Sequence, residues 1–254
     1  MNGTLPEDAA LSAVADWLSA SSSTVVLTGA GMSTESGLPD FRSTSGWWKQ
    51  IDPRRVASVE ALEQNYSLFA EFYRMRLERL HDCQPHRGHL ILAEWERRGI
   101  VSAIVTQNVD GLHQRAGSNQ VAELHGSLSR IRCHACGTGA AVERFMNGDR
   151  CGRCGGKLRP AVVLFGEMLP EDAWEHAVQA ISRAELLLVI GTSLEVYPAS
   201  QLPLMTRGRV VMINAEETAL DHRFALTIRG KAGETLQQLE RLLTGKNEED
   251  GSEK

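Results

Sequence analysis

Four apolar runs in this sequence end on small or polar turn residues, with helical stretches between them. Ser23–Thr28 runs into Gly29-Ala30-Gly31, and Ile100–Thr106 into Gln107-Asn108-Val109-Asp110. Glu185–Ile190 runs into Gly191-Thr192-Ser193, and Arg209–Ile213 into Asn214-Ala215-Glu216. Buried β-runs alternating with helices fit a parallel, doubly wound sheet covered on both faces. In such sheets ligands lie beyond the carboxyl ends of the strands, so these turns on one edge favour a nucleotide site.

The first of these turns, taken alone, fits two readings. Glycines let bare backbone approach a ligand and offer N–H groups to a diphosphate. They equally suit a tight strand-to-helix turn. The third glycine of the usual dinucleotide fingerprint is absent, since Met32-Ser33-Thr34 follows Gly31. No acidic residue closes a second strand about twenty residues on, as an ordinary dinucleotide-binding unit requires.

Helices are expected over Glu7–Ala20, Val59–His81, the stretch after Pro85 that Gly99 ends, Pro170–Arg183 and Glu234–Leu243. Their apolar residues recur at helical spacing. Ser33–Ser36 reads as one helical turn before Gly37 and Pro39, and Ser43–Ser58 as an irregular segment. Val121–Leu124 leads to His125-Gly126-Ser127, and further strands are expected at Ala161–Phe165 and Phe224–Arg229. At 254 residues the chain is long enough for one sizeable domain plus a small insertion. Its net charge of −5 argues against a dedicated nucleic-acid partner, whose binding domains are usually basic. The opening residues show no export signal and no apolar run reaches the length of a membrane span, so the cytoplasm is the expected compartment.

Cys133-x-x-Cys136 and Cys151-x-x-Cys154 interrupt the α/β rhythm. Two thiolate pairs with glycines beside them (Gly137, Gly152, Gly155) suit tetrahedral zinc. Four thiolates fill the coordination sphere, so the metal is expected to be structural, one per chain. His134, inside a knuckle, is a poorer candidate ligand, and Cys83 stands apart.

Several longer motifs then appear in order. They are Gly29-Ala30-Gly31-Met32-Ser33-Thr34-Glu35-Ser36-Gly37-Leu38-Pro39-Asp40-Phe41-Arg42, Thr106-Gln107-Asn108-Val109-Asp110-Gly111-Leu112-His113, Leu124-His125-Gly126, the cysteine pairs, Phe165-Gly166-Glu167, Gly191-Thr192-Ser193-Leu194 and Asn214. With them, from about Ser22 to Leu243, the chain resembles the bacterial-type sirtuins, the NAD-dependent protein lysine deacylases. The resemblance implies an α/β fold, a Rossmann-type doubly wound parallel sheet with a small zinc-ribbon domain inserted. Residues 1–42, 82–129 and 159–245 would form the NAD-binding domain. Residues 43–81 would be the cofactor loop and helical part of the small domain, 130–158 its zinc-ribbon part, and 246–254 a disordered tail.

The resemblance also implies the chemistry. NAD would be consumed as a co-substrate, with an acyl-lysine protein or peptide entering the same cleft and no nucleic acid or membrane involved. The products would be free lysine, nicotinamide and 2′-O-acyl-ADP-ribose. His125 matches the family's general base, a role suited to an imidazole's usual titration near neutrality. Asn108 is matched as catalytic and, with Gln107, Val109 and Asp110, holds the nicotinamide and its ribose. Gly29, Ala30, Gly31, Ser33, Asp40, Phe41 and Arg42 are matched to the cofactor pocket. Gly191, Thr192 and Ser193 would meet phosphate or ribose; Asn214, Ala215 and Glu216 the adenosine ribose; Ala232 the adenine region. Val163, Phe165, Gly166 and Glu167, with Glu195, Val196 and Tyr197, would flank the peptide as strands.

Tyr73 and Arg76, with Ala57 upstream, resemble the acyl-carboxylate pocket of the desuccinylase and demalonylase branch. The chain departs from that branch at Asp40, Ala161 and Leu164, so deacetylation is expected to persist. Two alternatives use the same residues: transfer of ADP-ribose to a protein, and a non-enzymatic zinc-ribbon scaffold that senses nucleotide.

Overall fold

The structure is a computed structural model that describes residues 6–41, 46, 49 and 51–245. Helix α1 (Glu7–Ala20) buries Leu11, Val14 and Leu18 and leads into β1 (Thr24–Thr28), whose residues are all buried. A 3₁₀ segment, Ala30–Ser36, follows and stops at Gly37, whose φ of 88° is open to glycine at little cost. After a short 3₁₀ turn at Pro53–Arg55 come α2 (Val59–Gln64) and α3 (Tyr66–Asp82). The single helix expected over Val59–His81 is therefore two. Asn65 (φ −137°, ψ 59°) breaks it, and its side chain accepts the Leu68 N–H to cap α3.

Helix α4 (Arg87–Arg97) precedes β2 (Ala103–Thr106). The strand starts later than the apolar run Ile100–Thr106, because the N–H groups of Ile100 and Val101 turn back to the Trp95 carbonyl. Then follow α5 (Leu112–Arg115), β3 (Val121–Glu123), β4 (Gly126–Cys133), β5 (Gly139–Ala140), α6 (Val142–Met146) and β6 (Leu158–Val162). The strand expected at Ala161–Phe165 is shifted to Leu158–Val162, since Val163 and Leu164 turn out of the ladder toward His125 and Glu167. The chain closes with α7 (Glu171–Arg183), β7 (Leu186–Ile190), β8 (Arg209–Asn214), β9 (Leu226–Arg229) and α8 (Ala232–Thr244), with 3₁₀ segments at Ala199–Leu204 and Asp221–Arg223.

Six strands pair in parallel in the order β3-β2-β1-β7-β8-β9, the arrangement of a Rossmann-type doubly wound sheet. Alternate residues of each strand feed the two faces. Val26, Ile104, Leu188 and Val211 pack under α1, α4 and α8. Val25, Leu27, Val105 and Val189 pack under α7 with Leu194 and Phe224. A three-stranded sheet, β5-β4-β6, forms a separate layer. Its Leu128, Ile131 and Leu158 share a third core with Leu62, Phe69 and Tyr73 of α2 and α3.

Among the described residues no helix is long and apolar enough to cross a membrane. The tail 246–254 and part of Ser43–Ser58 lie outside the described residues.

Candidate active site

The strand order reverses between β1 and β7, so the turns after these two strands meet at the sheet's switch point. Gly29 N–H donates to the Ile190 carbonyl at 3.0 Å, and Gly31 N–H to the Gly191 carbonyl at 2.8 Å. A Cβ on Gly31 would lie 2.8 Å from Gly191 Cα, and one on Gly191 only 2.3 Å from Met32 N. These glycines are required because two turns press backbone on backbone. The N–H groups expected to face a diphosphate are, at Gly29 and Gly31, spent on the neighbouring turn.

The polar cluster after β2 reaches the same place. Asn108 Nδ2 donates to the Gly29 carbonyl at 2.9 Å and to Ser33 Oγ at 3.2 Å. Ser33 Oγ in turn donates a hydrogen bond to Asp110 Oδ2 at 2.8 Å, while Asp110 Oδ1 accepts the Leu112 N–H. Burial pushes the Asp110 carboxyl up, opposed by those donors and by the charge of Arg76. Behind the cluster, the buried His113 Nε2 meets Thr28 Oγ1 at 3.0 Å, and Thr28 donates to Thr106 Oγ1 at 2.8 Å. Thr106 Oγ1 in turn accepts the Asn108 N–H.

His125 Nδ1 lies 2.9 Å from the Gln107 carbonyl, which can only accept. Nδ1 therefore carries the proton and the basic lone pair is on Nε2. The Gln107 side chain donates to Thr192 Oγ1 at 3.0 Å, tying the β2 and β7 turns together. Gly126 must be glycine: its φ is 75° and a Cβ would lie 2.0 Å from the Ala161 carbonyl of β6. The His-Gly pair is thus set by the close approach of β6 to β4.

These residues line one cleft of about 1030 Å³. It brings together Gly29, Ala30, Gly31, Ser33, Asp40, Phe41, Gln107, Asn108, Val109, Asp110 and His125. Gly191, Thr192, Ser193, Asn214, Ala215, Glu216 and Ala232 complete the sheet-edge wall. Ala57, Tyr73, Arg76, Val163, Phe165, Gly166, Glu167, Val196 and Tyr197 line the rest. Glu195 is exposed and does not line it, and Arg42 lies outside the described residues. Neither 165–167 nor 195–197 is a strand here. Sequence reasoning missed Arg79, Trp174 and Lys231, which also line the cleft but stand in no motif, and Thr34, which stands inside the Gly29–Arg42 motif without a role assigned to it. It also missed the role of Arg159, whose one signal was a charge inside an apolar strand.

Several features of the cleft fit a dinucleotide. Its floor is bare glycine, and α8 starts at Ala232 on its wall, where the Gly233 N–H already donates to the Glu35 carboxylate at 2.6 Å. On the opposite wall the Arg76 guanidinium lies over the rings of Phe41, Phe72 and Tyr73 at 5.2, 5.6 and 5.7 Å. Burial lowers the Arg76 pKa, with Tyr73 and Asp110 pulling it back, and burial pushes Tyr73 up to about 12. Burial would raise the Glu167 carboxyl, but the Arg159 fork and the Leu164 N–H bring it below the usual value.

In the small layer, the sulfurs of Cys133, Cys136, Cys151 and Cys154 all lie within 4.8 Å of one another. Cys133 and Cys154 are 3.5 Å apart, Cys136 and Cys151 3.7 Å. Tetrahedral zinc with bonds of about 2.3 Å spaces its sulfurs about 3.8 Å apart. The four cysteines are thus positioned to hold one zinc ion, with no fourth-site opening for water. His134 stands outside the sulfur cluster, its Nε2 3.9 Å from Glu63 Oε1. Cys83 is a buried thiol that donates to the Arg79 carbonyl at 3.1 Å.

A cleft at the switch point of a parallel sheet, lined by His125, together with a four-thiolate knuckle in a second, smaller sheet, marks a nucleotide-binding α/β protein with a metal module. The Sir2 family model matches residues 29–198, and the chain belongs to that family. It is 52% identical over 231 residues to the NAD-dependent protein deacetylase 1 of Geobacillus kaustophilus, covering 89% of this chain and 96% of that one. Two solved structures are similar. A mutant Sir2 homologue in complex with 2′-O-acetyl ADP ribose has a TM-score of 0.87 and 39% identity, over 92% of this chain and 96% of that one. A complex of Sir2, p53 peptide and NAD+ has a TM-score of 0.82 and 35% identity, over 92% and 97%.

Proposed function

We propose that the chain is an NAD-dependent protein lysine deacylase, releasing nicotinamide, 2′-O-acyl-ADP-ribose and free lysine. The observation that carries this is His125, fixed by the Gln107 carbonyl so that Nε2 is the base, in one cleft with Asn108 and the glycine turns. The sheet-edge residues would hold NAD, which would supply a ribose carbon on which the substrate's acyl oxygen replaces nicotinamide. His125 Nε2 takes the proton of the ribose hydroxyl that attacks the acyl carbon. Asn108, its amide nitrogen spent on Gly29 and Ser33, offers its Oδ1 as an acceptor toward the nicotinamide ribose. Asp110 orders the turn through Ser33 and Leu112. Gly191, Thr192, Ser193 and Ala232 serve the diphosphate and adenosine, with Arg42 assigned there by its place after Phe41. The substrate lysine enters between Val163–Glu167 and Val196–Tyr197.

Tyr73 and Arg76 extend the reading to the acyl group. A guanidinium held over three rings in a cleft suits an acidic acyl chain, so desuccinylation and demalonylation accompany deacetylation. We assign 43–81 and 130–158 to the small lobe and the remainder through residue 245 to the NAD-binding lobe; the core shared by α2, α3, β4 and β6 supports a second lobe, and it reaches past those bounds to Leu128, Val162 and Leu164. Four cysteines grouped as metal ligands support a reducing compartment, the cytoplasm, and the net charge of −5 supports protein substrates over nucleic acid.

A panel of acetyl, propionyl, malonyl, succinyl and long-chain acyl peptides, incubated with NAD and read by mass spectrometry, tests the assignment. It should yield nicotinamide and 2′-O-acyl-ADP-ribose. A modified protein carrying ADP-ribose, or no nicotinamide with any peptide, would overturn it.

A further inference from the structure

Arg159, on β6, is fully buried, a place a guanidinium takes only when paired. Its Nη1 donates to Glu167 Oε1 at 2.6 Å and its Nη2 to Glu167 Oε2 at 2.9 Å, a two-pronged pair. The same guanidinium donates through Nε to the Pro160 carbonyl and through Nη2 to the Val162 carbonyl. Glu167 Oε2 also accepts the Leu164 N–H at 2.8 Å. The loop from Val162 to Glu167 is therefore folded around one buried ion pair.

That loop presents Val163, Leu164, Phe165 and Gly166 to the cleft. Val163 N–H donates to the His125 carbonyl at 2.8 Å, and Phe165 N–H to the Ala57 carbonyl at 2.9 Å. The pair also touches the zinc layer. Arg132, adjacent to Cys133, faces Arg159 in the β4–β6 ladder, and its Nη2 is 3.5 Å from Glu167 Oε1.

We propose that Arg159 and Glu167 are a positioning pair that holds the acyl-peptide edge of the cleft in register with His125 and links that edge to the zinc knuckles. The inference rests on the deacylase reading. Glu167 was matched to substrate binding, but its oxygens are engaged by Arg159 and Leu164, so it acts on the peptide through the loop. A buried ion pair contributes little stability over apolar residues of similar size. What the planar fork supplies is direction: it fixes a carboxylate and two backbone carbonyls at once.

Full-length, zinc-loaded variants assayed with acetyl-lysine peptide and NAD test this. Glu167→Gln leaves the buried Arg159 charge without its carboxylate and Arg159→Met leaves the half-buried Glu167 without its fork, so both should lower Tm and raise the peptide KM about tenfold. The double variant Arg159→Met/Glu167→Met removes both charges. It should regain most of the lost Tm yet keep a peptide KM raised about tenfold, with kcat reduced about threefold at most. Calorimetric NAD affinity without peptide should stay within about twofold of the parent, since the pair lies off the sheet edge. Arg159→Lys keeps the charge without the fork and should not restore the KM. A double variant with the parental peptide KM, or one whose NAD affinity weakens in step with the peptide, would overturn the proposal, as would loss of fold and zinc in the double variant. Failure of the parent to turn over any acyl peptide would instead sink the deacylase reading.

Discussion

On the sheet side of the cleft, backbone meets backbone. The turns after β1 and β7 interlock through Gly29, Gly31 and Gly191, and side chains such as Asn108 and Gln107 are tied to them by short hydrogen bonds. On the opposite side, two helices and a three-stranded sheet too small for a large core of its own are held by four thiolates and the Arg159–Glu167 pair. The first wall draws its geometry from a continuous sheet, whereas the second depends on a metal and a buried charge. A rigid nucleotide wall facing a separately stabilised peptide wall allows one to fail without the other.

Zinc removal should break that comparison most sharply. Structural zinc contributes about 10–16 kcal/mol to small zinc-finger peptides, so Cys133→Ser/Cys151→Ser protein is expected to lose the β5-β4-β6 layer and acyl-peptide turnover. The parallel sheet should survive, seen by circular dichroism alongside elemental analysis. Metal-free protein with full turnover would contradict the division. His125→Ala addresses the point where the walls meet. Loss of a general base lowers kcat about 10²- to 10⁴-fold, and Tm should hardly change. Equal activity in the variant would move the base elsewhere.

Acid should weaken the packing behind the nucleotide wall through two buried histidines, His89 of α4 and His113 of α5, whose rings lie 4.9 Å apart. Burial, reinforced by neighbouring histidines, depresses His89 to about 2 and His113 to about 3. Both folded values lie below the ordinary 6.5, so the unfolded chain binds more protons below that pH. Their stabilising effect is full above about pH 7 and is lost as the pH falls through 6.5, by about 2 kcal/mol for each at pH 5. Thermal melts from pH 7.5 to 5 should show it, and His89→Leu should flatten the slope; a pH-independent Tm in the parent would refute it. The smallest expected effect lies on the peptide wall. Arg76→Met should lower kcat/KM for succinyl-lysine peptide by about ten- to a hundredfold and spare the acetyl substrate. Equal loss on both would show Arg76 to be a packing residue.

The nucleotide wall was largely legible because its signals are local. An apolar run breaking into Gly29-Ala30-Gly31 or Gly191-Thr192-Ser193 marks a strand end whatever surrounds it, and the alternation of such runs with helices required the parallel sheet. The paired cysteine spacing marked the knuckles for the same reason. Boundaries were less legible where a side chain competes with the ladder. Asn65 splits an apolar helical pattern by capping the second half, and β6 ends at Val162 because Leu164 N–H finds Glu167. Arg159 carried only the signal of a charge in an apolar run, which could not name Glu167, since that partner is set by how a loop folds.

By itself, then, the order of residues determined the alternation of strands and helices, the turns on one sheet edge, and the thiolates that can gather around a metal. These follow from periodicity, glycine's conformational freedom and ligand spacing over a few residues. Only the tertiary structure decided that Gly31 and Gly191 need to be bare because they press on each other. It alone set the His125 tautomer through the Gln107 carbonyl and gave Glu167 a buried arginine as partner. Each of those depends on segments distant in sequence meeting within hydrogen-bond range, which no local pattern specifies.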